Sequence, residues 1–563
     1  MHPRLLPAIA AAIVTLPAVT ADRPEPVRGE QGMVVSRSQI ASSVGADVIG
    51  AGGNAVDAAV AVGFALAVAH PSAGNLGGGG FMVIRLADGE LVANDHRERA
   101  PAAAHRDMFV DARGNVVEGL STDSHLAAGV PGTVAGLLDI HERYGALPLS
   151  DVIDPAITLA RDGFPLPPDL ASDFASHQSD FARHAASKAV FSRTDGTPYE
   201  PGDLFMQEDL ADTLARIRDE GRDGFYKGKT AELLVAEMQR GGGRISQADL
   251  DDYRSVWRDP VIGTYRGFDV VSMPPPSSGG ILLVQMLNML ERYNLRTMGA
   301  GSARAIHHMV EAARRAYADR AMHLGDADFY PVPVGRLIDK AYAVVRFGDF
   351  DPRRASASAD VGAGYWKEAG GETTHVSVMD AAGNAVAYTT TLNFSYGSKI
   401  VVPGAGFLLN NEMDDFSARE NAPNAYGLLG GEANSIAPGK RMLSSMTPTI
   451  LLWDGRPFFV TGSPGGSTII TTVLQVIVNG VDHRMNLVQA VSQPRFHHQW
   501  QPDRILFEPG VSEETVSALR SMRHREVVIL PTARLGKANS VMRIRGALWG
   551  FADPRAPGAA AGI

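Results

Sequence analysis

The sequence of 563 residues contains no cysteine. This absence excludes disulfide bonds, thiolate nucleophiles and metal sites built from cysteine. The chain also lacks a basic stripe, because the net charge is −10 and residues of both signs are spread along it, so we expect no nucleic-acid partner. Apolar residues make up 45%, which is ordinary for a globular protein, and the length indicates roughly two to four structural units.

No apolar run in the sequence is long enough to span a bilayer comfortably, so we expect no membrane span. The N-terminal run over residues 5–19 follows Arg4 and ends in Val19-Thr20-Ala21, before the charged residue Asp22. This order is typical of a secretory signal peptide over residues 1–21, and it predicts an exported protein, periplasmic or secreted. The alternative is a disordered apolar leader or an uncleaved anchor.

A run of four glycines, Gly77 to Gly80, leads into a predicted strand over 81–85. It lacks the Lys-Ser/Thr pair of a phosphate loop and opens no helix. We therefore predict a close-packed backbone crossing here. Residues 38–51 and 54–70, which precede it, are predicted helices, and the second is rich in alanine and suited to close packing.

The middle of the chain, residues 124–348, is predicted to be mostly helical, with segments that include 204–220 and 281–295. His307 lies in a predicted helix over 303–320, but no His-Glu-x-x-His motif occurs there, and we predict no metal site. Residues 349–372 lack any period and are interpreted as an exposed, mobile linker. A cut at its end would free the α-amino group of Thr373.

A predicted β-hairpin begins at Thr373 and returns through residues 384–391. If its turn is centred on Ala382, Thr373 faces Thr391 across the two strands. A hydroxyl at a strand start with a second hydroxyl opposite suits a nucleophile and its orienting partner. Threonine is also a common residue in ordinary strands, so the hairpin alone leaves both interpretations open.

Three other features suit substrate contact. Arg97 ends a predicted strand, where it either binds a substrate carboxylate or forms a surface ion pair. Gly465 and Gly466 precede a predicted helix over 468–479, where their N–H groups either stabilise an oxyanion or form a tight turn. The loop over 418–440 is a lid or a disordered tract.

Together these motifs resemble the γ-glutamyltranspeptidases, over the chain from about Gly32 to its end. The motifs are Thr373-Thr374-His375-x-Ser377, the run from Asn410 to Phe416, Leu443-Ser444-Ser445-Met446, Gly462-Ser463-Pro464-Gly465-Gly466, His96-Arg97-Glu98, Asn54 to Ala59, Pro274 to Gly280 and Asp553-Pro554-Arg555. The resemblance implies an α+β fold, the four-layer αββα sandwich of N-terminal-nucleophile hydrolases. It also implies self-cleavage between Glu372 and Thr373 into a large subunit, 22–372, and a small catalytic subunit, 373–563, which pair with each other.

The resemblance carries catalytic roles to four residues. Thr373 resembles the nucleophile, acting through its hydroxyl and its new α-amino group, and Thr391 resembles the threonine that orients it. Gly465 and Gly466 resemble the oxyanion-hole donors. An α-amino group has a pKa of about 7.7–8.0, so it suits a base near neutrality.

The resemblance also assigns a pocket for the glutamyl head of the substrate. Arg97 resembles the arginine that binds the α-carboxylate, helped by Ser444 and Ser445. The remaining positions are Asn393 and Glu412 near the α-amino group, Asp415 as its main acidic partner, and Tyr426 in the lid. His96 and Glu372 are the positions where this sequence departs from the residue types usual in the family.

The expected substrates are glutathione and other γ-glutamyl compounds, with water, amino acids or dipeptides as acceptors, and no cofactor is expected. One alternative is a related acylase that acts on glutaryl β-lactams or other γ-linked amides, which needs less of the α-amino pocket. Another is a binding or scaffold protein without activity. That protein would be expected to have lost Thr373, Thr391 or the Gly465-Gly466 pair, all of which are present.

Overall fold

The computed structural model describes residues 25–361, 373–419 and 424–563. The predicted signal peptide and Glu372 lie outside these ranges. No helix in the described ranges is long and apolar enough to cross a membrane.

Two seven-stranded antiparallel sheets form the centre of the molecule. Sheet I has the spatial order Ala559–Gly562, Gly32–Ser36, Thr373–Asp380, Ala385–Thr391, Gly79–Arg85, Leu91–His96 and Val256–Arg258. Sheet II has the order Val27–Gly29, Ala547–Phe551, Ser540–Ile544, Arg456–Thr461, Thr449–Trp453, Phe268–Ser272 and Val261–Tyr265. Two small sheets consist of Phe496–His497, Arg504–Phe507 and Glu526–Ile529, and of Phe164–Pro165 and Leu204–Phe205.

Helices cover the outer face of each sheet. The sheet I side carries Gln39–Gly50, Ala55–Ala69, Thr133–Tyr144, Leu149–Asp162, Pro168–Ser176, Gln178–Phe181, Ala185–Phe191, Glu208–Glu220, Asp223–Tyr226, Gly228–Gly241 and Gln247–Asp252. The sheet II side carries Gly279–Leu290, Leu295–Met298, Ala303–His323, Val334–Leu337, Lys340–Arg346, Thr468–Val481, Leu487–Ser492 and Glu513–Ser521. Short 3₁₀ turns occupy His125–Ala127, Glu412–Asp415 and Glu432–Asn434.

The apolar side chains separate into three layers. One core lies between the two sheets, with Val83 and Met379 from sheet I against Val271 and Val460 from sheet II. The other two cores lie between each sheet and its helices. This is the four-layer αββα sandwich predicted from the resemblance, and it buries both faces of the central strands. All eight residues of Thr373–Asp380 are accordingly buried.

The alanine-rich helix packs as its sequence predicts. The Asn54 side chain accepts hydrogen bonds from the N–H groups of Val56 and Asp57, and the Asp57 carboxylate accepts one from the Asn54 N–H, which completes a capping box. All 15 residues of Ala55–Ala69 are buried, because small side chains let this helix lie close to sheet I and to its neighbouring helices.

The glycine run is a close backbone crossing, as predicted. A Cβ added at Gly77 would lie 2.1 Å from the Leu408 carbonyl oxygen, and one at Gly78 would lie 2.2 Å from the Thr391 carbonyl oxygen. Contacts this short leave no room for any side chain. The run therefore brings the strand Gly79–Arg85 against the strand that carries Thr391.

Seven of the 13 residues over 349–361 are exposed, as the linker interpretation expects, but Ala355 and Ser358 are buried. Ser358 is fully buried: its N–H donates to Asp503 at 2.9 Å, and its carbonyl accepts from the Trp500 indole at 2.9 Å. The partners that hold this segment are remote in sequence, so its irregular composition gave no sign of them. The helix predicted over 204–220 is also shorter, since residues 204–205 form a strand and the helix begins at Glu208.

Candidate active site

Thr373 and Thr391 lie directly opposite each other in sheet I, as the hairpin geometry predicts. The turn fixes this register, because the Asp380 carboxylate accepts hydrogen bonds from the N–H groups of Gly383 and Asn384 at 2.9 Å each. The Thr373 hydroxyl donates to the Thr391 hydroxyl at 3.4 Å. Only 4% of Thr373 is exposed, so the pair lies in a largely water-excluded position.

Thr391 is held in turn by the chain that follows it. The N–H of Asn393 donates to the Thr391 hydroxyl at 2.8 Å, and the Asn393 side chain donates to the Asn411 carbonyl at 2.9 Å. Asn393 has φ of 78°, a left-handed conformation that asparagine tolerates better than most residues. The Tyr426 hydroxyl donates to the Asn393 carbonyl at 2.8 Å, which ties this turn to the loop over 418–440.

Gly465 and Gly466 form the turn before the helix Thr468–Val481, both with positive φ, 129° and 54°. Neither N–H group donates a hydrogen bond to another described residue. The Tyr426 ring packs on this turn, since a Cβ at Gly466 would lie 2.4 Å from it. Two unpaired amides at a helix N-terminus are suited to bind an oxyanion.

Arg97 is the centre of a buried cluster with too few cations, which we call the acid-rich cluster. It consists of Arg97, Glu98, Glu412 and Asp415. The guanidinium lies 2.7 Å from Glu412, 2.6 Å from Asp415 and 3.6 Å from Glu98, and only 1% of the arginine is exposed. A surface ion pair is therefore excluded as the role of Arg97.

The carboxylates of the acid-rich cluster are difficult to ionise together. Burial raises the pKa of Glu98 to about 7 and the pKa of Glu412 well above its usual range, although Arg97 opposes both shifts. Burial also raises the pKa of Asp415. Three acids share one guanidinium, so the cluster is suited to a further positive charge.

Ser444 and Ser445 lie in a buried turn beside a second arginine that the motifs did not single out. Ser278 donates to the Ser444 carbonyl through its N–H at 2.9 Å and its hydroxyl at 2.6 Å. Arg320 donates to the Ser278 hydroxyl at 3.0 Å and to the Ser445 hydroxyl at 3.4 Å. Burial lowers the pKa of Arg320 to about 10, while the negative charge of Asp415 acts in the opposite direction.

The loop over 418–440 covers the acid-rich cluster in its described part, 424–440. The Asn424 side chain donates to the Asp415 carboxylate at 3.0 Å, and the Asn434 side chain donates to the Asp415 carbonyl at 2.7 Å. Tyr426 is 8% exposed, between the Gly465-Gly466 turn and Asn393. These contacts favour the lid interpretation for residues 424–440.

A second buried charge cluster lies apart from these residues, and we call it the balanced cluster. It consists of Glu311, Arg314, Arg315 and Asp503. His307 and His524 adjoin it, and with Glu311 they form a group whose potential metal-ligand atoms lie within 4.8 Å of one another. The two imidazoles contact each other at 2.9 Å, and both arginines pair with Glu311 at 3.1 and 2.7 Å, so Glu311 and the facing nitrogens of the two imidazoles already have partners.

A threonine at the head of a central strand, in a four-layer αββα sandwich with an opposing threonine, defines the class of N-terminal-nucleophile hydrolases. A family model described as Gamma-glutamyltranspeptidase matches residues 41–563. The chain belongs to the γ-glutamyltranspeptidase family, a family of enzymes made as proenzymes.

Known proteins of two kinds resemble this chain. The glutathione hydrolase proenzyme of Escherichia coli (strain K12) is 50% identical, over 94% of this chain and 91% of that protein. The acylase ACY 1 proenzyme of Pseudomonas sp. (strain SE83) is 40% identical, over 95% of this chain and 94% of that protein. The crystal structure of cephalosporin acylase from Bacillus halodurans has a TM-score of 0.83 and 24% identity, covering 100% of this chain and 99% of that chain, which is a likeness of fold.

Proposed function

We propose that this chain is a self-processing γ-glutamyltransferase and glutathione hydrolase. It cleaves γ-glutamyl amides such as glutathione and passes the glutamyl group to water, amino acids or dipeptides. The observation that carries the proposal is the acid-rich cluster, in which a buried arginine and surplus carboxylates stand ready for a zwitterionic head group.

Maturation is proposed to cut the bond between Glu372 and Thr373. The cut yields a large subunit, 22–372, and a small subunit, 373–563, that stay paired. It also creates the α-amino group of Thr373. Since this group is the proposed base, activity depends on the cut.

The acyl step uses Thr373, Thr391 and the Gly465-Gly466 turn, which we call the oxyanion turn. The α-amino group of Thr373 accepts the proton of its hydroxyl, and the hydroxyl oxygen attacks the γ-amide carbonyl. Thr391 orients the nucleophile, and the N–H groups of Gly465 and Gly466 stabilise the oxyanion. Loss of one such donor typically slows a reaction roughly 100- to 1,000-fold. The α-ammonium group of Thr373 returns this proton to the departing amine, which leaves a γ-glutamyl ester on Thr373. Water or an amine acceptor then cleaves the ester and restores the Thr373 hydroxyl.

The glutamyl head is proposed to exchange partners with the acid-rich cluster. Its α-carboxylate binds Arg97, with Ser444 and Ser445 donating hydrogen bonds. Its α-ammonium group binds Asp415, with Glu412 and Asn393 nearby. Each charged group of the substrate takes the place of one partner in an existing ion pair, so binding leaves no buried charge without a partner.

The second candidate function is that of an acylase for glutaryl β-lactams or other γ-linked amides, which the 40% identity to an acylase proenzyme favours. A glutaryl group lacks the α-ammonium group. It would leave the surplus acids of the cluster without a cation, and for this reason the γ-glutamyl substrate is preferred.

The test compares two anilides and one variant. The wild-type protein is expected to run as two fragments, ending at Glu372 and beginning at Thr373. It should release nitroaniline from γ-glutamyl-4-nitroanilide, faster with glycylglycine, and far less from the glutaryl analogue. Thr373→Ala should remain one chain and lose at least roughly 10⁴-fold in activity.

Thr373→Ser is the matched control, because it retains a hydroxyl and an α-amino group and should still process. An active Thr373→Ala protein would overturn the nucleophile, and preference for the glutaryl anilide would favour the acylase.

Export is proposed from the N-terminal signal over residues 1–21. Cell fractionation should find the processed protein outside the cytoplasm, with an N-terminus near residue 22. Recovery of all protein in the cytoplasm with Met1 or His2 at its N-terminus would contradict export.

A further inference from the structure

A cleft of about 790 Å³ adjoins the oxyanion turn, and no residue of the acid-rich cluster lines it. Gly465 and Tyr426 line its inner end. The scissile amide lies at this turn in the proposed function, so the part of the substrate beyond the amide enters the cleft.

The walls of the cleft are strongly cationic. The charged side chains that line it are Lys399, Arg504, Arg534, Lys537 and Asp180. Asp180 pairs with Arg183 at 2.9 Å and Lys399 lies 3.7 Å from Asp123, so neither of these two contributes much net charge to the cleft. Arg534 is exposed and forms no ion pair or hydrogen bond with another described residue.

The backbone places Lys537 beside the oxyanion turn, and Arg534 lies three residues before it on the same loop. The N–H of Lys537 donates to the Ser463 hydroxyl at 2.8 Å, and Gly536 packs so closely on Gly465 that a Cβ at Gly465 would lie 3.4 Å from the Gly536 Cα. The loop that carries Arg534 and Lys537 is therefore in van der Waals contact with the turn that holds the oxyanion.

The chemistry of the leaving group matches this position. Glutathione releases a dipeptide that ends in a carboxylate, and peptide acceptors end in a carboxylate as well. Two residues of extended chain span roughly 7 Å, so the terminal carboxylate would lie about that far from the scissile amide. A long cationic side chain on the neighbouring loop can reach this position. Arg97 is already assigned to the carboxylate of the glutamyl head, so this second carboxylate needs a separate cation.

We infer that Arg534 and Lys537 form a subsite for the terminal carboxylate of the leaving dipeptide and of peptide acceptors. This inference rests on the proposed function and deepens it. The subsite selects peptides with a free C-terminus over uncharged amines, and it contributes to donor binding without touching the reacting atoms.

The test varies the charge of the substrate and the charge of the protein together. Arg534→Gln, Lys537→Gln and the double variant are assayed with glutathione, with glutathione amidated at its glycine carboxylate, and with γ-glutamyl-4-nitroanilide. The KM for glutathione should rise roughly fivefold for each single variant and more for the double variant. The KM for the amide and for the anilide should stay within about twofold of wild type.

Two controls make the outcome specific. Arg525→Gln removes an exposed arginine outside the cleft and should change none of the three KM values. Arg534→Lys keeps the charge and should recover most of the glutathione KM. Acceptor assays should show the same pattern for glycylglycine and its amide.

An equal rise for glutathione and its amide, or no rise for glutathione in the double variant, overturns the subsite. Either result leaves the proposed function standing if the wild-type enzyme hydrolyses the γ-glutamyl anilide. Failure of the wild-type enzyme on that anilide would instead reject the proposed function itself.

Discussion

The molecule buries two clusters of charge that differ in their balance of sign. The acid-rich cluster holds three carboxylates around Arg97. In the balanced cluster, Arg314 pairs with Glu311 and Asp503, and Arg315 pairs with Glu311 and with the exposed carboxylate of Asp349. Its two arginines therefore surround a single fully buried carboxylate, Glu311. Both clusters are shielded from water, so this difference in balance decides whether the ionised form of each carboxylate is stabilised or destabilised.

The pKa values of the buried carboxylates have opposite shifts. Burial itself raises the pKa of Glu311, but Arg314 and Arg315 outweigh it and hold this pKa at about 2. For Glu98 and Glu412, burial outweighs the single Arg97. A balanced cluster is complete and holds the fold, here the segment that contains Ser358. An acid-rich cluster is incomplete, and a cationic ligand completes it.

The strongest test of this comparison is a matched pair of isosteric substitutions. Glu311→Gln should lower the free energy of unfolding by about 3 kcal/mol, because it leaves two buried arginines undercompensated. Glu412→Gln should not lower the free energy of unfolding, since ionising the buried Glu412 side chain itself costs free energy. Urea unfolding of both processed variants at pH 7 measures the difference, and equal losses would contradict the distinction.

The next effect concerns substrate affinity. Asp415→Asn should raise the KM for γ-glutamyl-4-nitroanilide roughly 30- to 100-fold, because the substrate ammonium group loses its buried partner. The melting temperature should stay close to that of wild type. Asp503→Asn, in the balanced cluster, should do the reverse: a lower melting temperature and an unchanged KM. A similar KM for the Asp415 and Asp503 variants would remove Asp415 from the substrate pocket.

Per unit of pH, the smallest effect is a pH dependence of stability, which has opposite sign in the two clusters. Glu98 has a pKa of about 7 in the folded protein and 4.5 as its ordinary value, so between these pH values the folded state holds the extra proton. The free energy of unfolding therefore falls as pH rises through that window, by about 1.4 kcal/mol per pH unit at most.

Glu311 has a folded pKa of about 2, so its contribution is present above pH 4.5 and is lost as pH falls from 4.5 towards 2. Unfolding free energies measured from pH 3 to 8 should show that Glu98→Gln removes the loss at high pH and that Glu311→Gln removes the loss at low pH. The interpretation fails if both substitutions alter the same side of the profile.

Local patterns predicted the hairpin and several other elements, whereas the four-layer sandwich and the roles of the site residues came from the family resemblance. The Asp380 turn fixes the hairpin register, so the Thr373–Thr391 pair could be derived from the positions of turn residues alone. The glycine crossing and the helix after Gly466 also follow from local sequence. In each case the determining residues lie within a few positions of the feature.

Features made by distant residues were not predictable in this way. Arg320 lies in the middle of the helix Ala303–His323 and reaches Ser445 only because that helix packs beside the serine turn. Glu98 belongs to a motif recognised in the sequence, but its raised pKa depends on burial among side chains from residues 412–415. The buried contacts of Ser358, within the segment 349–361, were not predicted for the same reason.

The position of Thr373–Asp380 within sheet I determines whether the two pieces of a cut chain could dissociate. A cut before Thr373 would leave this strand hydrogen-bonded to Gly32–Ser36 on one side, while Ala385–Thr391 is hydrogen-bonded to Gly79–Arg85 on the other. Sheet II has the same interleaving, with strands from residues 449–551 enclosed by Val27–Gly29 and Phe268–Ser272. The two pieces could then separate only if both sheets were torn open, so dilution would not dissociate them, and their separation would be the same event as unfolding.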